Sequence, residues 1–206
     1  MRIVKLIGDS ISLDYGKYLV DYSGENISFK ERSGVEEAYK NLDAAIGGNG
    51  GDSGRVFGIV KNFEKENKLD FDLFVFNCGL HDIKRSRPGE MLQIGKEDYI
   101  KNLTEIVSIM KAHNIECVFI TTTQADEKRY SPEAEFTRYA ADVEEYNAAA
   151  IKIMTENSVK IIDLYGFTRS LGLEGDDLYR DHTHFNPEVI KLQAAFIAGY
   201  LAELCS

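Results

Sequence analysis

The chain has no long apolar run, no excess of positive charge, no cysteine pairing pattern and no internal repeat. Without roughly 18 consecutive apolar residues there is no candidate membrane-spanning helix. The first residues carry neither an apolar segment of signal-peptide length nor a small-residue cleavage site. A formal net charge of −10 works against non-specific binding to nucleic acid or to an anionic membrane surface. The three cysteines, Cys78, Cys117 and Cys205, lack C-x-x-C or metal-ligand spacing. Cys78 and Cys117 fall in expected strands, where a free cysteine acts as a small hydrophobe. A reducing, cytoplasmic setting is therefore the expectation. No linker or low-complexity segment divides the 206 residues, so one α/β domain over 1–206 is expected.

What is present is an alternation of strand and helix signals. Ile3, Val4, Leu6 and Ile7, interrupted only by Lys5, read as a buried parallel strand that stops at Gly8. A helix follows over 11–20, then a short second strand over 27–29 and a glycine-rich loop over 47–54. Val56, Ile59, Val60 and Phe63 mark one helical face, and residues 71–76 form a strong third strand. Tyr99, Leu103, Ile106, Val107 and Met110 stripe the next helix, before a fourth strand over 117–120. Phe136, Ala140, Val143, Ala150, Ile151 and Met154 stripe a long helix, and a fifth strand covers 159–162. The last helix opens at Asn186-Pro187, an N-cap followed by proline at the first helical position. Val189, Leu192, Phe196, Tyr200 and Leu204 continue its face. Strands alternating with helices predict a parallel sheet with right-handed crossovers, covered on both faces: a three-layer α/β/α sandwich.

The polar clusters fall at the strand ends. Gly8-Asp9-Ser10 follows the first strand, Gly79-Leu80-His81-Asp82 follows the third, and Asp181-His182-Thr183-His184 precedes the last helix. In a parallel sheet all strand C-termini share one edge, so these clusters can converge. A serine, a histidine and an aspartate there are the parts of a nucleophile, its base and the base's orienter. Asp181 and His184, three apart on a turn, can pair through Nδ1 and leave Nε2 to face Ser10. The glycine loop can carry a backbone N–H close to a reacting carbonyl.

These blocks resemble those of the SGNH (GDSL-like) hydrolases, nearly end to end. Gly8-Asp9-Ser10 is similar to the family's first block, which makes Ser10 the nucleophile by resemblance. Asn49-Gly50-Gly51-Asp52-Ser53 is similar to the second, which assigns the Gly51 N–H to an oxyanion hole. Asp181-x-x-His184 is similar to the fifth, which supplies Asp181 and His184. The third block normally reads Gly-x-Asn-Asp, and its asparagine donates to the oxyanion. This chain has His81 at that place, and an imidazole N–H could substitute.

The resemblance implies a flavodoxin-like sheet of five parallel strands in the order 2-1-3-4-5. It also implies hydrolysis of a carboxylic ester through an acyl-serine, with no metal or cofactor. Small acyl groups, such as O-acetyl groups on sugars, are expected ahead of lipids, and no long apolar lid is present. A thioesterase is the enzymatic alternative. A non-catalytic module binding carbohydrate or another small ligand on the same sheet edge is the alternative from another class.

The competing readings of single residues are also specific. Ser12 as nucleophile would lie inside the first helix, and His182 reads as an exposed loop residue. His81, His182 and His184 do not have a recognisable zinc spacing. His113 reads as a solvated partner of a helix end, and Asn147 as a buried amide that ties down a loop. Lys84, Arg85 and Arg87 form a basic cluster beside the third block, either a solvated loop or an anchor for an anionic substrate group.

Overall fold

The computed structural model describes residues 1–87 and 90–206. Strands β1 (Arg2–Ile7), β2 (Ile27–Phe29) and β3 (Leu73–Phe76) precede the two-residue strands β4 (Arg85–Ser86) and β5 (Met91–Leu92). Strands β6 (Glu116–Ile120), β7 (Phe136–Thr137) and β8 (Lys160–Ile162) follow. The main sheet is β2-β1-β3-β6-β8, with every pair parallel. Counted along the chain, its five strands lie in the expected 2-1-3-4-5 order. Strand β3 is buried along its whole length, as a central parallel strand should be. Phe74 and Phe76 stack at 5.2 Å, and Phe76 meets Phe119 edge-on at 5.3 Å. Each such fully buried side chain contributes about 1.5–3 kcal/mol.

The helices are α1 (Ser10–Tyr22), α2 (Val35–Ala38), α3 (Ser53–Lys65), α4 (Lys96–Ala112), α5 (Ala140–Glu156), α6 (Leu164–Ser170), α7 (Gly175–Leu178) and α8 (Pro187–Leu204). On one side of the sheet α8 packs on α1 and α6; on the other α4 packs on α3 and α5. No helix among the described residues is long and apolar enough to cross a membrane.

Three local expectations are corrected. Phe136 is not on the long helix. It pairs with Ser86 in an antiparallel sheet β5-β4-β7, and α5 begins only at Ala140. Ile151 is 39% exposed on the outer side of α5. On α8 the buried face is Val189, Ile190, Gln193, Ala194, Ile197, Ala198 and Leu201, which leaves Leu192 45% exposed. A step of four residues repeated along a helix drifts around it, because one turn takes 3.6.

Register sets where the chemistry falls. Ile7 lies opposite Phe76, Phe76 opposite Phe119, and Ile120 opposite Ile162. The segments after β1, β3 and β6 therefore leave the sheet side by side.

Candidate active site

The first segment to leave that edge is the turn into α1. Asp9 is the N-cap, and its Oδ1 accepts the Ile11 N–H at 3.0 Å. The capping work is thus done by Asp9, and the Ser10 hydroxyl is free. Ser10 is the first residue of α1, so its own N–H has no acceptor within the helix and points out with the helix's positive end. Ser12 is committed elsewhere: its hydroxyl donates to the Asp9 carbonyl at 2.6 Å and accepts from Arg32 at 2.8 Å.

Ser10 Oγ lies 2.8 Å from His184 Nε2, and His184 Nδ1 lies 2.8 Å from Asp181 Oδ2. A carboxylate can only accept, so Nδ1 carries the proton and Nε2 accepts from the serine hydroxyl. Asp181 Oδ1 accepts the N–H groups of Thr183 and His184, each at 2.8 Å, which fixes the turn between them. Burial alone would raise the Asp181 carboxyl, but the bonds from His184 outweigh it and hold the group well below the usual range. Ser10 and His184 are almost wholly buried. Such a chain of contacts can move a proton from the serine hydroxyl to an imidazole of fixed tautomer.

The glycine loop is knitted tightly beside this turn. Gly50 N–H donates to the Gly8 carbonyl at 2.7 Å, and a Cβ on Gly50 would stand 2.7 Å from that oxygen. Asn49 donates to the carbonyls of Leu42 and Ala44 and accepts the Gly51 N–H at 3.0 Å. The Gly51 N–H assigned by resemblance to an oxyanion hole is therefore already bonded within its own loop.

His81 lies in the turn after β3, which closes through Ile83 N–H to the Gly79 carbonyl at 2.9 Å. Gly79 has φ +151°, and a Cβ there would collide with Thr122. His81 is 2% exposed and its Nε2 has no partner among the described residues. Burial, with the charges of Lys84 and Arg138, pushes its imidazole well below the ordinary value, so it is neutral near pH 7. Its neighbour Asp82 is fully buried, accepts the Ser53 N–H at the start of α3, and is pushed up by burial to about 8.

The sequence profile of the GDSL-like lipase/acylhydrolase family matches residues 6–190. The chain belongs to that family. No curated protein matches the sequence. Among solved structures, the lipase/acylhydrolase from Enterococcus faecalis is 18% identical, with TM-score 0.68, covering 99% of this chain and 97% of that one. Est24, a carbohydrate acetylesterase from Sinorhizobium meliloti, is 14% identical with TM-score 0.68, covering 99% and 100%. The acetyl xylan esterase AlAXEase is 15% identical with TM-score 0.67, covering 97% and 99%. At these identities the likeness is one of fold.

In this GDSL-like hydrolase the basic cluster beside the third block separates into different jobs. Arg85 makes a two-pronged pair with Asp142 at 2.7 and 2.8 Å, and Arg87 donates to the carbonyls of Ser131 and Pro132. Both secure the β4–β7 region. Lys84 instead donates to the Asp43 carbonyl and lies 4.4 Å from the Phe136 ring centroid. His182 is partly buried rather than an exposed loop residue, with its ring 4.3 Å from that of Tyr130 and Nε2 3.4 Å from Asp43. Asn147 clamps both the N–H and the carbonyl of Thr122, at 2.9 and 2.8 Å, and so ties down the segment after β6. Sequence reasoning missed Asp43 and Arg138, and it missed the loop-tying role of Asn49. Arg138 sits in Phe136-Thr137-Arg138-Tyr139, a stretch with no pattern that marks a buried cation.

Proposed function

We propose that this chain is a serine esterase that hydrolyses short acyl esters, O-acetyl groups on sugars foremost, through an acyl-serine intermediate. Ser10 attacks the ester carbonyl while His184 Nε2 takes its proton, and the same imidazole then protonates the leaving alkoxide. Asp181 holds the tautomer and stabilises the imidazolium. A water activated by His184 cleaves the acyl-serine in a second turn of the same steps. The Ser10 N–H and a neutral His81 N–H are the donors free to meet the oxyanion. Gly51 joins them once its N–H exchanges Asn49 for the oxyanion.

The observation that carries this reading is the 2.8 Å contact between Ser10 Oγ and His184 Nε2, continued at 2.8 Å to Asp181. Three features support the substrate class. Ser10, His81 and His184 are nearly buried, which suits a small acyl group. The partly buried His182 ring, tilted against Tyr130 next to His184, leaves an aromatic group beside the site for a sugar ring. Two of the structural neighbours are described as a carbohydrate acetylesterase and an acetyl xylan esterase. The free thiols of Cys78, Cys117 and Cys205 fit a reducing compartment.

The test is labelling with a fluorophosphonate alongside hydrolysis of p-nitrophenyl acetate. Wild type should be labelled once, on Ser10, and Ser10→Ala should lose both label and activity. Labelling retained in Ser10→Ala would refute the assignment.

A further inference from the structure

A second contact joins the two parts of the molecule that the Ser10–His184 bond joins. Asp14 lies on α1 four residues beyond Ser10, on the same side of the helix. Its carboxylate is 1% exposed, and Oδ2 lies 2.7 Å from Arg180 Nη2. Tyr39 donates to Oδ1 at 3.3 Å, and Lys17 Nζ lies 3.6 Å away. Arg180 immediately precedes Asp181, and its backbone N–H donates to the His184 carbonyl at 2.9 Å. Arg180 is thus part of the turn that carries Asp181 and His184, and it reaches back to the helix that carries Ser10.

Packing of α8 on α1 brings this turn to the nucleophile helix. The turn is tied to the segment after β6 by the Asp126 N–H to the His182 carbonyl at 3.0 Å and by Arg129 Nε to the Asp181 carbonyl at 2.9 Å. Toward α1 its contacts are Ser10 to His184 and, one helical turn along, Asp14 to Arg180, so the second contact fixes the turn's placement relative to the helix that carries Ser10. We propose that Asp14 and Arg180 are a positioning pair, which sets the turn bearing Asp181 and His184 at hydrogen-bonding distance from Ser10. The proposal rests on the reading of Ser10, His184 and Asp181 as the reacting groups. Neither Asp14 nor Arg180 touches substrate; both act through the Ser10–His184 distance. Because the carboxylate is shielded from solvent, the pair should hold at high salt.

The experiment compares wild type with Arg180→Ala, Arg180→Lys and Asp14→Asn. It measures p-nitrophenyl acetate hydrolysis, the rate of Ser10 phosphonylation by a fluorophosphonate, and Tm. A misplacement of about 1 Å costs up to about 10²-fold in rate. Arg180→Ala and Asp14→Asn should therefore lower kcat by about ten- to a hundredfold, with KM within about twofold. Phosphonylation should slow in parallel, and Arg180→Lys should keep most of the activity. Guanidinium ion added to Arg180→Ala should restore kcat, where sodium chloride of equal ionic strength does not. It should have no such effect on Asp14→Asn.

Folded Arg180→Ala with wild-type kcat would overturn the pair while leaving the esterase reading intact. So would a kcat loss in Arg180→Ala that neither guanidinium nor Arg180→Lys recovers. If Asp14→Asn fails to fold, the Arg180 variants decide alone. A wild type that neither hydrolyses the ester nor is labelled would overturn the esterase reading and this one with it.

Discussion

The guanidinium of Arg138 lies 3.5 Å from the carboxylate of Asp43, and it is 1% exposed. It also donates to the carbonyl of Leu80 at 2.6 Å and to Tyr130 Oη at 2.8 Å. A buried cation therefore braces the turn that presents His81, and Asp43 is its counter-charge. Removing one partner of a buried pair costs about 3–5 kcal/mol. Asp43→Asn should fall toward the lower end of that range, since Asp43 keeps 29% of its side-chain exposure. Arg138→Met on top of Asp43→Asn should recover part of the loss, because the fully buried guanidinium is then gone. Urea unfolding of the two singles and the double measures this; an unchanged midpoint in Asp43→Asn would sink the idea.

His81 is neutral near pH 7 because burial disfavours its cation. Activity should therefore rise to a plateau as the base loses its proton, without the narrow bell that a cationic donor would impose. Losing one oxyanion donor costs about 10²–10³ in kcat, so His81→Ala should fall in that range with KM little changed. His81→Asn should recover much of the loss. Wild-type kcat in the alanine variant would remove His81 from the mechanism.

Lys84, Arg85 and Arg87 should behave differently from one another. Arg85 and Arg87 are bound to Asp142 and to backbone carbonyls, so neutralising either should change charged and neutral esters alike. Lys84 stands beside Asp43 and Phe136, and burial together with the Arg138 charge pushes its amine down to about 8. If Lys84 meets an anionic group on the substrate, Lys84→Met should raise KM for carboxylate-bearing esters about tenfold, the worth of a bond to a charged group. The difference between Lys84→Met and wild type should fade above pH 8, where Lys84 loses its own charge. Equal KM changes for neutral esters would leave Lys84 as scaffolding.

Two carboxylates pull stability in opposite directions with pH. Asp181 is held below its ordinary 3.8, so its contribution is present above that value and is lost as the medium becomes more acid. Asp82 is raised from 3.8 to about 8, so the folded state is favoured below 3.8 and loses that advantage as pH rises through about 8. Asp82→Asn should therefore flatten the decline in stability between pH 4 and 8 while leaving the acid limb in place. Urea midpoints across pH, for wild type and variant, give the comparison. A decline as steep in Asp82→Asn would assign it to other groups.

Strand β3 was legible because a buried parallel strand is an unbroken apolar run, as Leu73–Phe76 is before Asn77. The other main strands were legible as shorter or interrupted apolar stretches between helical patterns. Gly8-Asp9-Ser10 and Asp181-x-x-His184 were legible because short local spacing determines their geometry. The two-residue strands β4, β5 and β7 were not, since pairs such as Phe136–Thr137 have no periodicity to read. The commitment of Gly51 N–H to Asn49 was also hidden. An asparagine two residues before a glycine allows that turn, but only the folded loop decides whether the bond forms. Asp14 gave no signal either, because its partner Arg180 comes from the far end of the chain.

The separation of Ser10 from His184 by 174 positions has a consequence for synthesis. At about 5–20 residues per second, roughly 10–35 s pass between translation of the serine codon and the histidine codon. During that interval the nascent chain holds the Ser10 hydroxyl without the imidazole that lies 2.8 Å from it in the folded protein. Packing of α8 against α1 must also wait until residues 187–204 have left the ribosome. On the proposed mechanism, a chain that stalls or is clipped between residues 10 and 184 releases no esterase activity.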